Sequence, residues 1–223
     1  MMLRQLVKLT DAYPLTEADI ALITTASSLH DIGKIRIPEE ILNKPGKLSD
    51  EEFKIMKTHS ELGASIIRDM RFPQNHPLVH TAWEICRWHH ERWDGKGYPD
   101  GLKGEKIPIS AQVVSIADVY DALTSERCYK KAFDHDTAIQ LILDGQCGQF
   151  NPLLLKCLKK CCNAGNHHNN CNNGREKSCL WFFFPESQLR KSNPRKYNSH
   201  QSHCQRNELF CPKFFHSIKP PFL

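Results

Sequence analysis

Residues Ile109 to Ser125 carry no charge before Asp118, and Val113, Val114, Ile116, Ala117 and Val119 load the stretch with apolar side chains. With no proline or glycine inside it, the segment reads as a helix buried around most of its circumference. Such a helix needs neighbours on several sides. Asp118 is then a carboxylate on a segment meant for a core, which is costly unless the group is paired or bound to a cation. No period-two strand pattern of any length accompanies it. The neighbours must therefore be helices too, and the body of the chain reads as all-α.

Leu3, Leu6 and Val7 predict a first helix that ends before Tyr13-Pro14. Thr16 is placed to cap a second, running through Ile20, Ile23 and Leu29 to about His30 and ended by Gly33, so that His30-Asp31 fall in its last turn. A helical turn follows Pro38. Ser49 with Glu52 makes a capping box for a helix through Phe53, Met56, Leu62, Ile66 and Ile67, with His59 in its middle. A further helix from about Leu78 to Glu91 delivers His89 and His90 at its end, and the loop 93–108 behind it is punctuated by Gly95, Gly97, Pro99 and Gly101. Asp136 to Leu143 predicts another helix, stopping near Gly145, and Pro152 opens the last.

After Lys160 the composition changes. Residues 163–173 hold six asparagines, and a basic run rich in Ser, Asn and His lies beyond Trp181-Phe182-Phe183-Phe184. Nine of the 30 Lys and Arg but only three of the 25 Asp and Glu fall in 161–223, so the chain's charge of +5 belongs to this stretch and the body is near neutral. We expect a domain over 1–160 and a low-complexity, disordered tail over 161–223. Cys161, Cys162, His167, His168, Cys171 and Cys179 match no paired Cys-x-x-Cys framework for zinc. A nucleic-acid groove is not indicated for the body. No run of eighteen apolar residues spans a membrane, and Met1 to Thr10 has no signal-peptide core. Scattered Cys86, Cys128, Cys147 and Cys157 fit small apolar fillers in a reduced, cytoplasmic protein.

The residues that resist a structural explanation form a set. His30-Asp31, His59, His89-His90 and Asp118 lie on four separate helices. Each alone has an ordinary reading; together they have the composition of a di-metal site built inside a helical bundle. Imidazole and carboxylate ligands without thiolates suit iron, manganese or zinc. Two such ions about 3.5–4 Å apart can clamp a phosphoester and activate water. Lys34, Arg127, Lys130 and Lys131 lie close by in sequence as phosphate-facing cations, although the Lys130-Lys131 pair reads equally well as a solvated helix start.

His30-Asp31-Ile32-Gly33-Lys34, Ile41-Leu42-Asn43-Lys44-Pro45-Gly46 and Met56-Lys57-Thr58-His59 resemble the HD-GYP domain family. So do His89 to Pro99 (HHERWDGKGYP) and Ala117 to Leu123 (ADVYDAL). The likeness covers about residues 15–160. It implies an HD-type helical bundle of the metal-dependent phosphohydrolases, active on cyclic di-GMP. Carried over, it makes His30, Asp31, His59, His89, His90 and Asp118 ligands of two or three divalent metals, iron or manganese. Lys34 would stand beside the scissile phosphate, with Asp31 also at the catalytic centre, and Arg127 and Lys130 would hold the nucleotide. Gly97, Tyr98 and Pro99 would shape the site and dock a partner such as a diguanylate cyclase (GGDEF) domain. The implied reaction is hydroxide attack giving the linear dinucleotide and then GMP, in second-messenger signalling. A sensory or receiver domain is common in such relatives, and a homodimer is the expected assembly.

Two departures stand out. The family has a further histidine, often with a glutamate, upstream of the His-Asp pair, yet no histidine precedes His30. Either the first helix is incomplete, as in a fragment, or another group such as Glu17 substitutes. A missing ligand weakens metal binding. That leaves the alternative of an impaired domain that binds nucleotide or protein without turnover. A third reading keeps the enzyme and changes the phosphoester. The second departure is Asn151 in Phe150-Asn151-Pro152, where the family has Asp; we expect it to keep the hydrogen-bonding shape and lose only the charge.

Overall fold

The computed structural model describes residues 2–73, 75–125 and 131–165, with the side chains of the last helix as far as Cys162. Among them are nine α-helices, two short 3₁₀ turns and no strand. In order, the helices are α1 (Met2–Leu9), α2 (Glu17–Ser27), α3 (Glu39–Leu42), α4 (Asp50–Lys57), α5 (His59–Asp69), α6 (Pro77–Trp88), α7 (Ile109–Thr124), α8 (His135–Leu143) and α9 (Pro152–Gly165).

Local chemistry sets most of these starts. The Thr16 hydroxyl accepts from the Asp19 N–H while the Asp19 carboxylate accepts from the Thr16 N–H, a capping box repeated by Ser49 and Glu52. Asp134 caps α8, and Asn151 caps α9 by accepting from the Leu153 N–H at 2.9 Å. Pro77 occupies the first turn of α6, where its missing N–H costs nothing.

The apolar helix α7 is the centre of the bundle, with Ala111 and Val113 fully buried and Val114 and Ile116 nearly so. It packs between α6 and α8; α6 also carries α5 and α2, and α1 closes against α9. One apolar cluster joins Leu6, Ile23, Ile67, Ile85, Val113, Ile142 and Leu154. Each fully buried aliphatic side chain contributes about 1.5–3 kcal/mol relative to exposure. A smaller cluster of Ile37, Ile41 and Met56 seats α3 on α4.

Three boundaries differ from the sequence-based expectation. Helix α2 stops at Ser27, so His30-Asp31 sit in the turn beyond it, leading into a 3₁₀ turn over Ile32–Arg36. Gly33 is needed there for close approach rather than for ending a helix: a Cβ on it would lie 1.9 Å from the His59 carbonyl oxygen and 2.5 Å from the Gly63 nitrogen. The long helix expected around His59 is broken at Thr58, which leaves His59 as the first residue of α5. There the Thr58 hydroxyl donates to the Ile55 carbonyl at 2.7 Å and His59 Nδ1 bonds the Met56 carbonyl at 2.9 Å, drawing off acceptors that would continue the ladder. Finally, α9 runs through residue 160 to Gly165. Leu154, Cys157, Leu158 and Cys161 keep one buried stripe at helical spacing, and the change of composition does not interrupt it. Among the described residues no helix is long and apolar enough to cross a membrane.

Candidate metal centre

The turn after α2, the start of α5, the end of α6 and the middle of α7 converge. They bring His30, Asp31, His59, His89, His90 and Asp118 together as two donor groups: His59 with His89 and His90, and His30 with Asp31 and Asp118, the ligand atoms in each within 4.8 Å of one another. His59 and His89 are fully buried, while the other four are half-buried.

Backbone carbonyls fix the orientation of three rings. His30 Nδ1 lies 2.8 Å from the Ser27 oxygen, His59 Nδ1 2.9 Å from that of Met56, and His89 Nδ1 2.9 Å from that of Ile85. A carbonyl only accepts, so each Nδ1 carries a proton, and in His59 and His89 the Nε2 then turns a lone pair inward, the arrangement of metal-ligating histidine. The Nε2 atoms of His59 and His89 consequently face one another at 3.3 Å. Burial holds His59 down to about 4, and burial followed by the neighbouring histidines holds His89 and His90 well below the ordinary imidazole range. These rings are neutral, and two lone pairs meeting across 3.3 Å repel unless a cation lies between them.

Asp31 joins the two groups. Its Oδ1 is 3.5 Å from His59 Nε2 and 3.9 Å from His89 Nε2, and its Oδ2 is 3.3 Å from His30 Nε2 and bonded to the Lys34 ammonium. Burial opposes its charge, but His30 and Lys34 outweigh that and keep the carboxyl well below its usual range. Burial likewise lowers His30, yet Asp31 and Asp118 outweigh it and carry the ring up to about 9. Asp118 is pushed up by burial, its Oδ1 lying 3.9 Å from His30 Nε2. The donor set is imidazole and carboxylate only, gathered in two groups of three, which fits divalent ions.

A loop roofs the site. Tyr98 stacks on His90 with ring centroids 4.8 Å apart, preceding a cis bond to Pro99. Burial, then Asp118 and Asp31, push the phenol well above its ordinary value, so the hydroxyl stays protonated. Gly97 passes so close under the loop that a Cβ would lie 2.4 Å from the Arg92 nitrogen and 2.4 Å from Glu91 Cα. Two anchors went unrecognised in the sequence. Glu91, only 4% exposed, accepts from the backbone N–H of Asp100 at 2.7 Å. Asp100 in turn accepts from Arg87 at 2.7 and 2.8 Å and from the Trp88 indole at 2.7 Å. A carboxylate directly after a buried histidine pair was the available signal for the first.

Arg127 and Lys130 lie outside the described residues. Glu17 is no substitute ligand: its exposed carboxylate is held by Arg4 through contacts of 2.6 and 3.0 Å, because α1 pairs with the start of α2 away from the histidines.

Residues 3–152 match the HD domain family. A cyclic di-GMP phosphodiesterase of Vibrio cholerae is 46% identical over 143 residues, covering 64% of this chain and 29% of that protein. A 3′3′-cGAMP-specific phosphodiesterase of the same organism is 40% identical over 151 residues, covering 68% and 28%. The chain thus spans under a third of the length of these relatives. Among solved structures, an HDG"Y"P protein from Bdellovibrio bacteriovorus shares the fold with a TM-score of 0.50 at 22% identity, over 73% of this chain and 49% of that one. With the ligand-like cluster, the roofing Gly-Tyr-Pro loop and the family match on the same residues, the chain belongs to the HD domain family, in its HD-GYP branch.

Proposed function

We propose that this chain is a metal-dependent phosphodiesterase that opens cyclic di-GMP to the linear dinucleotide and then to GMP. The observation that carries the reading is the pair of inward Nε2 atoms of His59 and His89, 3.3 Å apart with Asp31 spanning to His30. His59, His89 and His90 would hold one ion, His30, Asp31 and Asp118 another, with Asp31 shared. Iron or manganese suits such a set. Bound there, divalent ions supply Lewis acidity and lower the pKa of water.

The chain's own residues do the rest. Asp31 stays ionised beside Lys34, so the Lys34 ammonium is held at the rim of the cluster, where it meets an incoming phosphate oxygen. Tyr98 remains a neutral phenol that covers His90 and limits water. The relatives' names support a cyclic dinucleotide as the substrate, and the 3′3′-cGAMP-specific relative favours testing that dinucleotide alongside.

Metal analysis of the purified chain with product analysis on both dinucleotides tests the reading. We expect about two iron or manganese ions per chain and faster turnover of cyclic di-GMP. We also expect His90→Ala and Asp118→Ala each to abolish turnover while helical content changes little. Metal-poor protein that binds the dinucleotide without cleaving it would instead establish a binding module.

A further inference from the structure

Lys57, the last residue of α4, points its ammonium at two aromatic rings, 4.6 Å from the Phe53 centroid and 5.3 Å from that of Tyr98. The side chain is half-buried, and among the described residues its ammonium meets no carboxylate. Lys34 and Lys44, by contrast, are each paired with a carboxylate, of Asp31 and Glu52. A cation at the end of a helix is favoured by the helix dipole. That accounts for a lysine at this position but not for its seat over Tyr98, a residue of a different loop that stacks on His90. Aromatic faces hold a cation without neutralising it, so the charge stays available to an anion.

Position narrows which anion this is. The Tyr98 ring joins the two: it stacks on His90 and lies 5.3 Å from the ammonium, so Lys57 sits beside the histidine cluster without belonging to its donor groups. The anion that suits it is therefore a second phosphate of the ligand whose first rests on those groups. Resting on the function proposed above, we propose that Lys57 binds the phosphodiester of a cyclic dinucleotide that is not being cleaved, and so selects substrates with two phosphodiesters over those with one. Lys57 is in this sense a specificity residue, held in place by Phe53 and Tyr98.

The test uses the 223-residue, manganese-loaded chain and its Lys57→Met and Lys57→Arg variants. Binding is read by calorimetry with the non-hydrolysable bisphosphorothioate analogue of cyclic di-GMP, and turnover with bis(p-nitrophenyl) phosphate, which has a single phosphodiester. Loss of one charge-assisted contact predicts about tenfold or greater weakening of analogue binding in Lys57→Met, largely restored in Lys57→Arg. The rate on bis(p-nitrophenyl) phosphate should stay unchanged. Equal analogue affinity in wild type and Lys57→Met overturns the inference, and so does a parallel fall on both ligands, which marks a role in seating Tyr98. A wild-type chain that does not bind the analogue overturns it as well. A chain that binds the analogue in a Lys57-dependent way yet cleaves no phosphodiester leaves the inference standing and removes the proposed enzyme.

Discussion

His30 and His59 lie in one cluster and respond to it in opposite directions. His30, carried up to about 9 by Asp31 and Asp118, is protonated at neutral pH in the metal-free chain. Its contribution to stability is present below the ordinary value of 6.5 and is lost as pH rises through about 9. His59, held to about 4 by burial, acts the other way: the unfolded chain takes up its proton first, so stability falls as pH drops from 6.5 towards 4. Thermal unfolding of the metal-free chain against pH should show both losses. Because a ligand must shed its proton, manganese binding at neutral pH should release a proton from His30. Calorimetry in buffers of different ionisation enthalpy reads that release, and a buffer-independent heat would count against His30 as a ligand. A second residue-level outcome concerns Asn151, which is 3% exposed. Its amide donates to Gln112 Oε1 at 2.8 Å and to the Tyr13 hydroxyl at 3.0 Å, while Gln112 Nε2 donates to the Ile107 carbonyl. The amide thus supplies donors a carboxylate lacks, so it does more than keep a shape. Asn151→Asp should cost about 1–3 kcal/mol in urea unfolding, and less at acid pH, where a protonated carboxyl can donate again.

At the level of elements, the chemistry rests on joints between helices. The 3₁₀ turn over Ile32–Arg36 lies on α5 through Gly33, whose missing Cβ leaves room for the His59 carbonyl. Gly33→Ala should destabilise the fold by about 1–3 kcal/mol, since backbone on both sides must move. It should weaken manganese binding too, because the turn carries Asp31. The roofing loop is tied to α6 by Glu91 and by Arg87 and Trp88 through Asp100. Asp100→Ala should therefore raise amide exchange over residues 94–102 while metal content holds; unchanged exchange would show that Glu91 suffices alone. Capping pairs such as Ser49 and Glu52 were legible in the sequence because a cap is a local event. The break at Thr58 was not, because Thr58 and His59 take the Ile55 and Met56 carbonyls in a competition that apolar spacing does not show; nor was the end of α2 at Ser27, beyond which Gly33 lies on the backbone of α5.

Across the whole molecule, α1 and α9 close the bundle against one another, and Leu6, fully buried, is part of that closure. Truncation after Gly165 should leave the melting temperature unchanged, whereas truncation after Lys160 should lower it, because Cys161 is 4% exposed within the core. Chelation should lower it also: a metal at a hundred times its Kd contributes about 2.7 kcal/mol, which is lost with the ion. The sequence by itself determined the helices, the buried character of α7 and the identities of the candidate ligands. Periodicity, caps and a carboxylate amid apolar neighbours are all written within a few residues. Only the tertiary structure decided that His59 and His89 meet through Nε2, that Asp31 spans both donor groups, and that Lys57 rests on Tyr98. Those relations join residues up to 58 positions apart, as between Asp31 and His89. They are set by which helices pack together and by backbone carbonyls that orient each ring, neither of which the lettering of a single segment contains.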